Sequence, residues 1–100
     1  MRGDAPSQPT PDIQVFEETL KQLLPPFRVI LHNDDVNSMD HVVQALMKTV
    51  LSLSEDDATI IMAEAHTKGQ ASVITCPKEP AEHYRDGLET FGLTATIEPA

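Results

Sequence analysis

Asn33-Asp34-Asp35 sets one amide and two carboxylates one residue, His32, beyond an apolar run, Val29-Ile30-Leu31. Alternate residues of an extended segment share a side, so Asn33 and Asp35 would converge on one spot while Asp34 points away. An amide oxygen beside a carboxylate can accept from an ammonium group or steady a cation. The same trio can equally make a turn or cap a helix with no ligand involved. His66 is the other group with chemistry to offer, because a neutral imidazole accepts a hydrogen bond and an imidazolium suits the C-terminal end of a helix. The histidines, His32, His41, His66 and His83, form no His-x-x-x-His pair, so no metal site is expected. The single cysteine, Cys76, excludes an intrachain disulfide and carries no signature of an activated nucleophile. There is no glycine-rich phosphate loop either, so no catalytic residue and no cofactor is expected.

The elements that must position these groups are legible in the hydropathy pattern. Phe27 to His32, rich in apolar and β-branched residues and closed by Asn33-Asp34-Asp35, predicts a strand at the edge of the core. Asn37 or Ser38 then caps a helix whose apolar positions Met39, Val42, Val43, Leu46, Met47 and Val50 recur at helical spacing. Ser54 three residues before Asp57 makes a capping box, opening a second helix from Glu55 to Thr67 that Gly69 ends, with Ala58, Ile61, Met62 and Ala65 inward. Ala71 to Cys76 predicts a second strand. Pro80 suits the first turn of a third helix bearing Ala81, Tyr84, Leu88 and Phe91 and closed by Gly92, and Leu93 to Ile97 predicts the last strand. The order β-α-α-β-α-β implies an α+β sandwich: a small, antiparallel three-stranded sheet with three helices on one face.

Before that core, residues 1–25 read as a flexible extension. Five of the eight prolines lie in the first 26 residues, and Met1 to Pro11 has no apolar periodicity. Ile13, Phe16, Leu20, Leu23 and Leu24 could line one face of a short helix that orders on a partner, or belong to a frayed linker. The 100 residues leave room for one domain, residues 26–100. Sixteen acidic against seven basic side chains give a net charge of −9, which disfavours nucleic acid and anionic lipid. Apolar runs far shorter than a bilayer span and the lack of a leader pattern point to a cytoplasmic location. With no Trp and only three Phe, the core must be aliphatic.

Val29-Ile30-Leu31-His32-Asn33-Asp34-Asp35, followed by Met39-Asp40-His41-Val42-Val43, then Ala65-His66 with Gly69 and Ala81-Glu82, closely resembles the ClpS family, adaptors that deliver N-degron substrates to a Clp AAA+ protease. The resemblance covers Pro26 to about Glu98, and its His32-Asn33-Asp34-Asp35 form looks most like the cyanobacterial and plastid versions, whose unfoldase is ClpC. It implies that Asn33, Asp34, Asp35 and His66 surround the free α-amine of a peptide. Asn37, Met39, Val42, Met62, Ala65 and Leu93 would wall a pocket for its first side chain, Leu, Phe, Tyr or Trp. Glu79, Glu82 and Tyr84 match the surface that docks on the N-terminal domain of a ClpC- or ClpA-type unfoldase. The chemistry agrees: an α-ammonium offers three donors and a positive charge, which an amide oxygen, a carboxylate and a neutral imidazole can accept together.

The chain departs from the family pattern in carrying Ser38 where Pro is common, Val36 where an aromatic is common, Ala65 for Val and Tyr84 near a usual basic position. Two other classes fit the bare residues. A small acidic interaction domain of the ribosomal-stalk type would share the outline of the fold without the convergence of Asn33, Asp35 and His66. A metal-assisted hydrolase would use Asp34, Asp35 and His66 and bind a divalent ion.

Overall fold

The computed structural model describes residues 12–100. The expectation for Met1 to Pro11 lies outside them. The chain first forms α1 (Ile13–Leu23), then β1 (Pro26–His32), α2 (Met39–Thr49), α3 (Glu55–Lys68), β2 (Gln70–Pro77), α4 (Lys78–Thr90) and β3 (Ala95–Pro99). The core is therefore the α+β arrangement the pattern implies, with one antiparallel sheet of order β2-β1-β3.

One strand assignment is corrected. β1 is the central strand, not an edge, pairing with β2 on one side and β3 on the other. Its consecutive residues Val29, Ile30 and Leu31 are all buried, and an unbroken apolar run of that kind is what burial on both faces of a strand produces. Val29 and Leu31 face the helices and join the core, whereas Ile30 is buried outside that cluster, on the opposite face. That face is otherwise polar: Arg28 pairs with Glu98 at 3.0 Å, and His32 Nε2 lies 2.7 Å from the Thr96 hydroxyl. A bulge between Val29 and Ile30 on the β2 side shifts the alternation of β2, so that Ala71 and Val73, then Ile74 and Cys76, all turn to the core.

Helix boundaries follow their capping chemistry. Ser38, rather than Asn37, caps α2, its hydroxyl accepting from the His41 N–H at 3.1 Å. The Ser54/Asp57 capping box opens α3 with both reciprocal bonds formed. α4 begins at Lys78 after Pro77, earlier than the Pro80 signal suggests, and Pro80 still falls in the first turn, where its missing N–H costs nothing. The last strand starts at Ala95 rather than Leu93. Leu93 and Thr94 belong to the turn that leaves α4, which frees Leu93 for another use.

α4 lies against all three strands, α3 chiefly against β2, and α2 packs on α3 and α4. Leu31, Leu46, Leu88, Val29 and Val50 are fully buried, each burial contributing about 1.5–3 kcal/mol relative to exposure. α2 and α4 approach closely at Gly87, where a Cβ would meet the Thr49 Cγ2 at 2.8 Å, so a side chain there would force Thr49 to shift. α1 is started by the Asp12 carboxylate, which accepts from the Gln14 and Val15 N–H groups. Its Ile13, Val15 and Phe16 remain exposed.

Candidate functional site

β1 ends at His32, and its two antiparallel neighbours decide what meets Asn33. On one side Gln70 pairs with His32, which brings Gly69 opposite Asn33, and the Asn33 N–H donates to the Gly69 carbonyl at 2.9 Å. Gly69, at φ +93°, adopts the left-handed conformation that ends α3 and lets β2 start at the next residue. Ala65 and His66, in the last turn of α3, are thereby carried to the end of β1. On the other side Leu31 pairs with Ala95 and the His32 N–H donates to the Thr94 carbonyl at 2.9 Å, which brings Leu93 alongside. The capped N-terminus of α2 supplies Met39 and Val42.

These segments enclose a cavity of about 260 Å³ lined by Leu31, His32, Asn33, Asp34, Asp35, Asn37, Ser38, Met39, Val42, Met62, Ala65, His66 and Leu93. Every residue that the resemblance assigns to amine or side-chain binding is on its lining. Val42, Ala65 and Leu93 are buried and Met62 is half-buried, whereas Asn33, Asp35 and His66 are exposed. The cavity is therefore apolar within and polar toward solvent. Met39 is 52% exposed, so its flexible side chain belongs to the rim rather than the floor. Leu31 and His32, the last residues of β1, and Ser38, the cap of α2 that departs from the family pattern, complete the lining. Only the register of β1 and the turn after it put them there.

The two carboxylates differ in what they hold. Asp34 Oδ1 accepts from the Val36 N–H at 2.7 Å and the Asn37 N–H at 3.3 Å, and Oδ2 accepts from the Asn37 side-chain amide. This is a turn built on an aspartate side chain. The Val36 N–H above all, then the Asn37 amide, hold the Asp34 carboxyl below its ordinary pKa of 3.8. Asn37 passes the restraint on, since its Nδ2 also donates to the Gly92 carbonyl at 3.0 Å. The side chains of Asn33, Asp35 and His66, by contrast, have no hydrogen-bond partner among the described residues. Asp34 thus shapes the loop, and the other three keep their acceptors for something else. Among the described residues no three His, Cys, Asp or Glu side chains cluster as a metal site would require.

Glu79, Glu82 and Tyr84 lie elsewhere, in a broader groove of about 1280 Å³ with Leu24, Pro25, Phe27, Pro77, Lys78, Pro80 and His83. The Lys78 ammonium sits 5.8 Å from the centre of the Phe27 ring, within cation–π range. The two sites share no lining residue.

A family model described as "ATP-dependent Clp protease adaptor protein ClpS" matches residues 22–96. The chain belongs to the ClpS family. It is 52% identical over 88 residues to the ClpS adapter of Synechococcus elongatus, an alignment that takes in 87% of this chain and 93% of that one. A chloroplastic ClpS adapter of Chlamydomonas reinhardtii is 43% identical over 97 residues, covering 96% of this chain and 59% of the relative. The solved structure of Agrobacterium tumefaciens ClpS2 bound to L-phenylalaninamide is similar with a TM-score of 0.72 at 29% identity, over 76% of this chain and 98% of that one. As a ClpS protein the chain is an adaptor of a Clp protease, of the kind found in cyanobacteria and plastids. Among the described residues no helix is long and apolar enough to cross a membrane.

Proposed function

We propose that this ClpS adaptor binds the free α-amine and the bulky hydrophobic first side chain of N-degron substrates and hands them to a Clp AAA+ unfoldase-protease, without catalysing a reaction itself. One observation carries the reading: Asn33, Asp35 and His66, whose side chains have no hydrogen-bond partner among the described residues, stand on the lining of a cavity whose buried walls are Val42, Ala65 and Leu93. An α-ammonium would donate to the Asn33 amide oxygen, the Asp35 carboxylate and a neutral His66 nitrogen, while the side chain of the same residue enters the apolar space. Burying a Leu or Phe side chain there is worth about 1.5–3 kcal/mol. An internal peptide segment has no such amine, so both conditions select chain ends. The relative bound to L-phenylalaninamide supports this, since that ligand is a free amine on an aromatic residue with nothing before it. Asp34 would take part through the loop it braces.

The groove bearing Glu79, Glu82 and Tyr84 would dock on the N-terminal domain of a ClpC- or ClpA-type unfoldase, and residues 1–25 would engage the same machine during delivery. An ATP-dependent protease as partner fits the cytoplasm. The reading is tested by fluorescence anisotropy with Leu- and Phe-initiated peptides carrying free or acetylated N-termini. Acetylation removes the charge and two donors, so affinity should fall at least about tenfold. Equal affinity for both forms would overturn it.

A further inference from the structure

We propose that His41, which does not line the cavity, is a positioning residue for its Leu93 wall and so sets which first side chains fit. The inference rests on the peptide-binding reading above and concerns the same cavity. Leu93 is almost wholly buried and follows Gly92, whose φ of +80° turns the chain out of α4. The turn's own hold on Leu93 is long, its N–H reaching the Leu88 carbonyl at 3.3 Å. The Phe91 and Gly92 N–H groups close the turn on the Leu88 and Glu89 carbonyls at 3.0 and 2.9 Å, and further ties come from α2 and the loop before it. His41 Nε2 lies 2.7 Å from the Phe91 carbonyl, and Asn37 Nδ2 lies 3.0 Å from the Gly92 carbonyl. The two carbonyls that precede Leu93 are thus both held by side chains of α2 and of the loop before it.

A carbonyl can only accept, so the hydrogen must sit on His41 Nε2, and both the neutral ring in that tautomer and the protonated ring can supply it. The ring also meets the Phe91 ring edge-on at a centroid distance of 6.3 Å, which fixes its orientation. Asn37 touches the cavity itself, whereas His41 is absent from its lining and makes its contact at the turn. A space as small as 260 Å³ feels a shift of one wall by a fraction of a methyl group. Loosening the clamp should therefore alter the choice among first residues more than the grip on the amine.

The test uses the full chain with His41→Phe, which keeps an aromatic edge on Phe91 but cannot donate, and His41→Gln, which keeps an N–H donor. In the free protein, the Leu93 methyl resonances should move in His41→Phe and stay near their wild-type positions in His41→Gln. The ratio of affinities for Leu- and Trp-initiated peptides should change at least about threefold in His41→Phe and by less than about twofold in His41→Gln. Unmoved Leu93 methyls in His41→Phe, equal shifts in both variants, or an unchanged ratio beside a displaced wall would each overturn the proposal. Failure of the wild type to bind either peptide would instead defeat the peptide-binding reading, and the methyl shifts would still decide whether the clamp exists.

Discussion

The cavity at the C-terminal end of β1 and the groove at its N-terminal end are built by opposite means. The first is small, about 260 Å³, and its shape is held by directional bonds: Asp34 to Val36 and Asn37, Asn37 to Gly92, His41 to Phe91. The second is several times larger and is framed by Pro25, Pro77 and Pro80 with Phe27 and Tyr84. Proline fixes backbone direction while offering no donor, so the polar groups of this surface come from side chains, Lys78, Glu79, Glu82, His83 and Tyr84, set among Phe27 and the prolines. A site with aimed acceptors suits a small charged group whose identity matters. A broad apolar groove with Glu79 and Glu82 among its residues suits a folded partner, where area and shape count for more. The two lie at opposite ends of one strand, so on the proposed reading substrate and unfoldase would occupy separate surfaces.

The largest expected effect separates the two regions outright. A chain starting at Pro25 keeps the sheet and every residue of the cavity, so it should bind N-degron peptides as the full chain does while losing delivery. A degradation assay with a Leu-initiated reporter and the cognate protease would check this. Unimpaired acceleration by the shortened chain would show that residues 1–24 add nothing to delivery. A smaller effect sharpens the picture of the cavity alone. Met39, exposed on its rim, should crowd substituents on the Cβ of a bound residue, so Ile should bind several-fold worse than Leu despite similar apolar area. Met39→Ala should bring the two affinities together in anisotropy titrations and leave unfoldase binding as it was.

The smallest effect concerns the brace itself. Because the fold holds the Asp34 carboxyl below its ordinary value near 3.8, the carboxylate stabilises the folded state fully above that value. The contribution is lost as pH falls through the lower, folded value. Asp34→Asn should therefore lower the melting temperature near neutrality, and the gap to wild type should close below about pH 3.8. A gap that persisted in acid would mean that the charge of Asp34 is not what braces the loop.

Local chemistry was legible in the chain because it acts over three or four residues. The Ser54/Asp57 box, the apolar faces of α2 and α3, the Gly69 stop and the polar cluster after β1 all announce themselves by spacing. The residues bound for the cavity were nameable because their combination resembles ClpS, and their individual types suit an ammonium and an apolar side chain. The order of the sheet was not legible in the same way: the run Val29-Ile30-Leu31 marks burial on both faces, but only pairing with β2 and β3 makes β1 central. Nor could spacing tell Asp34 from Asp35. One spends its oxygens on Val36 and Asn37 and the other does not, a difference set by how the turn closes on α2. The reach of His41 to Phe91 and of Asn37 to Gly92 spans half the chain or more, so no local pattern encodes it. Sequence determined which groups were available and which elements would carry them; the register of three antiparallel strands and the packing of α2 beside the α4–β3 turn decided which groups meet, because contacts between distant residues exist only once the chain has folded.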